Sequence, residues 1–91
     1  MMTIKRTAQF KRDFKKIIRQ GYDANLMADL LNKLANGEKL EEKYHDHALK
    51  GDWIGFRECH VTPDWLLIYS VNDNELILTL TRTGSHSDLF G

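Results

Sequence analysis

The hydrophobic period of this chain changes once, close to Asn36, and that change limits the folds open to it. Before it, apolar residues recur at helical spacing. Phe10, Phe14, Ile17 and Ile18 fall at i, i+4, i+7 and i+8 and form one stripe. Thr7 is placed to cap this helix, which is expected to run to about Gln20 before Gly21 stops it. Asp23 caps a second helix over residues 24–35, with Leu26, Met27, Leu30, Leu31 and Leu34 on its apolar face and Asn36-Gly37 at its end. Two amphipathic helices joined by so short a turn predict a helical hairpin. After the change the pattern suits strands. Residues 38–52 are irregular and charged, and read as a loop. Residues 53–61 are rich in aromatic and β-compatible side chains, and Thr62-Pro63 supplies a turn. Residues 65–71 are almost continuously apolar, as a central strand is. Asn72-Asp73-Asn74 reads as a hairpin turn before a last strand over residues 76–83. Leu76, Leu78 and Leu80 are expected on one face of that strand, with Arg82 continuing it. Residues 85–91 read as a short tail. With a β segment at Thr3–Arg6 the order is β-α-α-β-β-β. This is an α+β arrangement, with the helical hairpin packed on one face of a largely antiparallel sheet.

A chain of 91 residues buries one modest core, so a single domain over residues 1–91 is expected. Its 42% apolar and 29% charged content argue against disorder. The one cysteine, Cys59, allows no internal disulfide and suits a reducing cytoplasm. No signal-like stretch follows Met1, and the apolar run around Leu66 is too short to span a bilayer, so no membrane partner is expected. The net charge is zero but unevenly spread. Residues 1–20 carry seven bases against one acid, Asp13, a local charge of +6 balanced by −6 in the rest. A polyanion would meet that pole, with Lys11, Arg12, Lys15, Lys16 and Arg19 as candidate RNA contacts. A solvated helix face is the plainer reading of the same residues.

Three histidines lie at expected element ends or in loops: His47, His60 and His86. Glu58, Asp64 and Arg82 are close to them in sequence. Histidine titrates near neutral pH and serves as base or acid. RNA brings its own nucleophile, the 2′-OH. A metal-free ribonuclease therefore requires a base, an acid for the leaving 5′ oxygen and a cation for the pentavalent phosphate. Two histidines and an arginine meet that list. Spacing alone leaves other readings open. The histidines could be ordinary surface residues, or His45, His47, Cys59 and His60 could gather a metal. Against a metal stands the absence of any Cys-x-x-Cys or His-Glu-x-x-His, and no cofactor is expected. Cys59 and His60 are adjacent, so on a strand they point to opposite faces, and Cys59 reads as core filling. Trp53, Phe56, Trp65 and Tyr69 read as core or half-buried strand residues. Phe90 is either part of a tail docked on the core or a platform on which a base stacks.

The segments Asp46-His47-Ala48-Leu49-Lys50-Gly51-Asp52-Trp53, Phe56-Arg57-Glu58-Cys59-His60-Val61-Thr62-Pro63-Asp64-Trp65 and Arg82-Thr83-Gly84-Ser85-His86-Ser87-Asp88-Leu89-Phe90 together resemble the YafQ branch of the RelE/ParE toxin superfamily. The resemblance covers essentially the whole chain and is strongest from Asp46 onward. It implies a RelE/ParE-like fold and the toxin of a type II toxin–antitoxin system. Such a toxin is a ribosome-dependent endoribonuclease that cuts messenger RNA in the ribosomal A site, beside 16S rRNA, and is restrained by a cognate antitoxin. The implied catalytic set is His47, His60, Asp64, Arg82, His86 and Phe90, supported by Glu58 and Trp65. Glu58 is a departure, since the pattern carries aspartate there, and His45 has no counterpart. In the implied chemistry His60 or His47 is the base, Asp64 orients a histidine or the 2′-OH, His86 is the acid, Arg82 steadies the phosphorane and Phe90 positions the nucleotide. A ParE-like toxin that binds DNA gyrase without nuclease activity is the alternative.

Overall fold

Thr7 both ends the first strand and starts the first helix. β1 (Thr3–Arg6) leads into α1 (Ala8–Arg19), and the Thr7 hydroxyl accepts the Phe10 amide at 2.9 Å. The structure, a computed structural model, describes residues 1–91. α2 (Ala24–Ala35) is capped by Asp23, whose carboxylate accepts the Asn25 amide. Both helices keep the caps and limits that the periodicity predicts. Phe10, Ile17, Met27, Leu30 and Leu34 are buried, whereas Leu26 is 42% exposed and stands outside the core.

Residues 38–52 are more than a loop. They hold a 3₁₀ turn at Glu42–Tyr44 and a two-residue strand, β2 (His47–Ala48). A second 3₁₀ turn follows at Gly51–Trp53, then β3 (Arg57–Thr62), β4 (Trp65–Asn72) and β5 (Ile77–Gly84). The tail forms a short helix, α3 (His86–Phe90). The sheet order is β1-β5-β4-β3-β2, parallel between β1 and β5 and antiparallel elsewhere. β4 is central, as its apolar run predicts.

The sheet separates two apolar clusters of unequal size. On the side of α1 and α2, fourteen buried residues pack together, among them Trp65, Leu67, Tyr69, Leu78 and Leu80. On the other side the buried apolar residues are only Leu66, Ile68 and Leu89, bordered by Leu49, Trp53 and Phe56. Each buried aliphatic or aromatic side chain contributes about 1.5–3 kcal/mol. The helical side therefore holds the fold, and the opposite face is left to carry polar groups.

Two expectations about the last strand are corrected. Leu76 lies before β5 with a positive φ of 55° and is 55% exposed, so it shares no face with Leu78 and Leu80. Arg82 does not continue their face either. Tyr69 pairs with Leu80 but Ile68 pairs with Arg82, so Thr81 is a surplus residue, a β-bulge. Past the bulge the alternation is inverted. Thr83 falls opposite buried Leu67, and Arg82 opposite Ile68.

Thr7 ties this bulge to the helix. Its hydroxyl donates to the Thr81 carbonyl at 2.8 Å while accepting from Phe10. Thr7→Ala is expected to lower the unfolding free energy by about 1–2 kcal/mol, the usual cost of a lost cap. Urea unfolding of the two chains checks this, and a loss below about 0.5 kcal/mol, typical of neutral surface changes, would contradict it.

Candidate active site

The site is built by strand register. Across the sheet, His47 lies opposite Glu58, Glu58 opposite Ile68, and Ile68 opposite Arg82. In the next row His60 lies opposite Leu66, which lies opposite Gly84. Directly opposed residues on antiparallel strands share a face. His47, Glu58, His60 and Arg82 therefore all belong to the face away from α1 and α2. Cys59 belongs to the other face, where it is fully buried and burial pushes its thiol well up, so it is neither nucleophile nor ligand here. No three His, Cys, Asp or Glu side chains are grouped to hold a metal ion.

Glu58 is the hub of the histidines. Its Oε1 lies 3.6 Å from His47 Nε2 and 4.0 Å from His60 Nε2. The residue is only 6% exposed, and its Oε2 has no hydrogen-bond partner. A buried acceptor left unpaired costs about 1–3 kcal/mol. His47 Nδ1 lies 2.6 Å from the His45 carbonyl oxygen. A carbonyl only accepts, so the proton sits on Nδ1, and Nε2 is the nitrogen turned toward Glu58. His45, set aside in the sequence, thus fixes the His47 tautomer. Its own ring stands edge-on to that of His60 at 5.3 Å.

Asp46 is the residue that sequence reasoning missed. Its carboxylate accepts from Arg57 Nε and Nη2, both at 3.3 Å, and from the Tyr69 hydroxyl. Burial and the Asp46 charge push the Tyr69 hydroxyl up, so it stays protonated and donates. Neighbours in an extended segment point to opposite faces. Anchoring Asp46 on the helical side therefore turns His47 to the open side. The one signal in the sequence was an acid directly before His47.

Arg82 is paired. Its Nε and Nη2 donate to the two oxygens of Asp13 on α1, at 2.9 and 3.0 Å. Burial pushes the Asp13 carboxyl up, but hydrogen bonds from Arg82, Gln9 and the Thr83 amide outweigh it and hold the group below its ordinary value.

The tail helix carries the remaining candidates. Ser85 and Asp88 form a reciprocal cap, the Asp88 amide donating to Ser85 Oγ at 3.1 Å and the Ser85 amide to Asp88 Oδ2 at 3.2 Å. Leu89 is buried on Leu66 and Ile68, and Lys16 Nζ reaches Asp88 at 3.2 Å. Burying a leucine contributes about 2 kcal/mol, and an exposed ion pair about 1 kcal/mol or less, so Leu89 is the main anchor. Leu89, not Phe90, docks the tail. Phe90 is 40% exposed, with its ring 5.2 Å from that of His86. Asp64 does not orient a histidine in this structure. It sits exposed in the β3–β4 turn and accepts from the Tyr22 hydroxyl at 3.2 Å. Trp65 is wholly buried, and its indole N–H donates to the Thr83 hydroxyl, which donates to the Leu66 carbonyl. It holds the Thr83 end of β5 from within the core. Lys11, Arg12, Lys15, Lys16 and Arg19 are all exposed on α1. Lys11 and Lys15 border a groove between the two long helices, lined by Phe10, Phe14, Met27 and Leu31, while Lys16 faces the tail. No helix is long and apolar enough to cross a membrane.

A histidine–carboxylate cluster and an arginine on the open face of an α+β sheet define a scaffold suited to acid–base chemistry on a charged substrate. Comparison with known proteins places the scaffold. A family model described as bacterial toxin of type II toxin–antitoxin system, YafQ, matches residues 2–91. The mRNA interferase toxin YafQ of Escherichia coli K12 is 39% identical over 89 residues, covering 97% of this chain and 95% of that protein. A crystal structure of metal-bound toxin from Helicobacter pylori matches with a TM-score of 0.92 at 43% identity, over 99% of this chain and all of that one. A chain of the Escherichia coli DinJ–YafQ complex matches with a TM-score of 0.90 at 38% identity, over the full length of both. The chain belongs to the YafQ family of type II toxins.

The Asp13 carboxyl gives a pH prediction. Folded, it titrates below its ordinary value of 3.8. In the interval between the two values the unfolded chain binds more protons, so stability falls as pH falls. The Asp13 contribution is complete above that interval and lost below the folded value. Asp13→Asn should therefore be less stable at neutral pH and lose less on acidification below about pH 4. Parallel acid limbs in denaturation of the two chains would overturn the assignment.

Proposed function

We propose that this chain is a ribosome-dependent endoribonuclease that cuts messenger RNA in the ribosomal A site, acts in the cytoplasm and is held inactive by a cognate antitoxin. Membership of a family whose curated relatives are named mRNA interferases supports the activity, and the DinJ–YafQ complex of a relative supports a protein antitoxin. The observation that carries the chemistry is the Glu58 carboxylate between His47 and His60, on the same sheet face as Arg82.

In this reading His47 or His60 takes the proton of the 2′-OH through Nε2, and Glu58 steadies the imidazolium that results. Arg82 stabilises the pentavalent phosphate. His86 protonates the leaving 5′ oxygen, and exposed Phe90 stacks against a base. Asp64, exposed in the β3–β4 turn, exchanges Tyr22 for a substrate hydroxyl. Base, acid and cation are all supplied by side chains, so the cut requires no metal. The products are a 2′,3′-cyclic or 3′-phosphate end and a 5′-OH end. The exposed bases of α1 face ribosomal RNA. The gyrase-directed alternative leaves this cluster without a use.

Purified protein, translating ribosomes and a defined messenger test the reading. His60→Ala and His86→Ala should each slow cutting by about 10²–10⁴-fold while leaving the fold intact. If both variants cut like the parent chain, the assignment is wrong.

A further inference from the structure

Arg82 reaches around an edge that β1 leaves bare. β1 pairs with β5 only from Ile77 to Leu80, so beyond Leu80 the outer side of β5 has no strand partner. α1 fills the gap. The Thr7 hydroxyl donates to the Thr81 carbonyl, and the Thr83 amide donates to Asp13 Oδ2 at 3.2 Å. The same Asp13 carboxylate takes Arg82 Nε and Nη2 in two bonds, one to each oxygen, and Oδ1 also accepts from the Gln9 side-chain Nε2 at 2.9 Å. Four donors thus converge on one carboxylate whose side chain is 10% exposed. The only acid among the bases of residues 1–20 is also a group that the sheet edge cannot spare.

The geometry of the guanidinium decides what remains. It has five N–H donors. The Nε hydrogen and one on Nη2 are engaged by Asp13. The two on Nη1 and the second on Nη2 are left, and of these one on Nη1 and the one on Nη2 point the same way along the adjoining end edge of the plane. That edge is itself a two-pronged fork of the shape that phosphate oxygens accept. Lysine, a point charge with no plane, cannot be held on one side and present a fork on the other.

We propose that Asp13 is the positioning residue of the phosphate site, holding Arg82 by one edge so that its other edge is presented to the scissile phosphate. This rests on the role assigned to Arg82 above. The opposite effect is also physical: a carboxylate beside the arginine offsets part of its charge. Preorganisation outweighs that loss, because a misplacement of about 1 Å in a reacting group costs on the order of 100-fold in rate. A latch that merely silences Arg82 until RNA displaces Asp13 predicts the reverse sign.

The experiment is single-turnover cutting of a messenger on translating ribosomes by the parent chain, Asp13→Asn, Arg82→Ala and the double variant, with a thermal melt of each. Asp13→Asn should slow cutting by about 10- to 100-fold with little change in the ribosome concentration for half-maximal rate. The double variant should be no slower than Arg82→Ala, since Asp13 acts through Arg82. A rate for Asp13→Asn equal to or above the parent's overturns the proposal. So does a double variant slower than Arg82→Ala by the full Asp13→Asn factor, which is the mark of a purely structural residue. If Arg82→Ala cuts like the parent, the role of Arg82 is what fails. Should Asp13→Asn not fold, Arg82→Lys decides. It keeps an ion pair with Asp13 but has no second edge, so cutting above about a tenth of the parent rate overturns the proposal.

Discussion

Thr81 has no partner in β4, and that one surplus residue sets the order of everything after it in β5. Without it, Arg82 would fall in line with Leu78 and Leu80, a guanidinium aimed into the larger apolar cluster. With it, Thr83 takes the inward position and completes the hydrogen-bond chain from Trp65 to the Leu66 carbonyl. Arg82 is delivered to the side where Glu58 and the two histidines stand. A bulge is usually accompanied by stronger local twist and a disrupted ladder. Here the disruption is repaired by α1, through Thr7 and Asp13, which accounts for a helix cap and a half-buried acid at the same edge.

The two faces of the sheet divide the work. The helical face supplies cohesion and hides the anchors: Asp46 beneath His47, Trp65 beneath the β5 end, Asp13 beside Arg82. The open face spends little on cohesion. Its small cluster of Leu66, Ile68 and Leu89 serves to seat the tail helix between the histidine side and the arginine side of the row. Polar side chains that would be unsupported on a loop are thereby held by partners below the sheet. That arrangement lets a chain of this size keep a buried, half-satisfied glutamate without losing its fold.

Local features were legible in the sequence and distant ones were not. Thr7 and Asp23 announce helix starts because a cap acts on amides two or three residues away. The run from Trp65 announces a strand buried on both faces. β2 is too short to show any period, and the tail helix is a single turn and a half. The bulge has no local mark, because it is defined only by register against β4. Asp13 read as one acid in a basic helix, since its partner Arg82 is 69 residues away. Of the candidate site, the resemblance selected His47, His60, Arg82 and His86 by position. It could not reveal that Glu58 lies between two of them, that Asp64 turns toward Tyr22, or that Leu89 docks the tail in place of Phe90.

The parallel pairing of β1 with β5 joins Thr3 to Ile77 and Arg6 to Leu80. These are contacts between residues far apart in sequence, and contacts of such long separation close slowly. During synthesis, α1 and α2 emerge early with their apolar faces formed and no sheet to cover them. The edge strand waits for the last one before it can pair. The open face, with its arginine and histidines in register, is therefore assembled only after β5 is available. Assembly of that face is thus timed by the topology itself, by the arrival of β5.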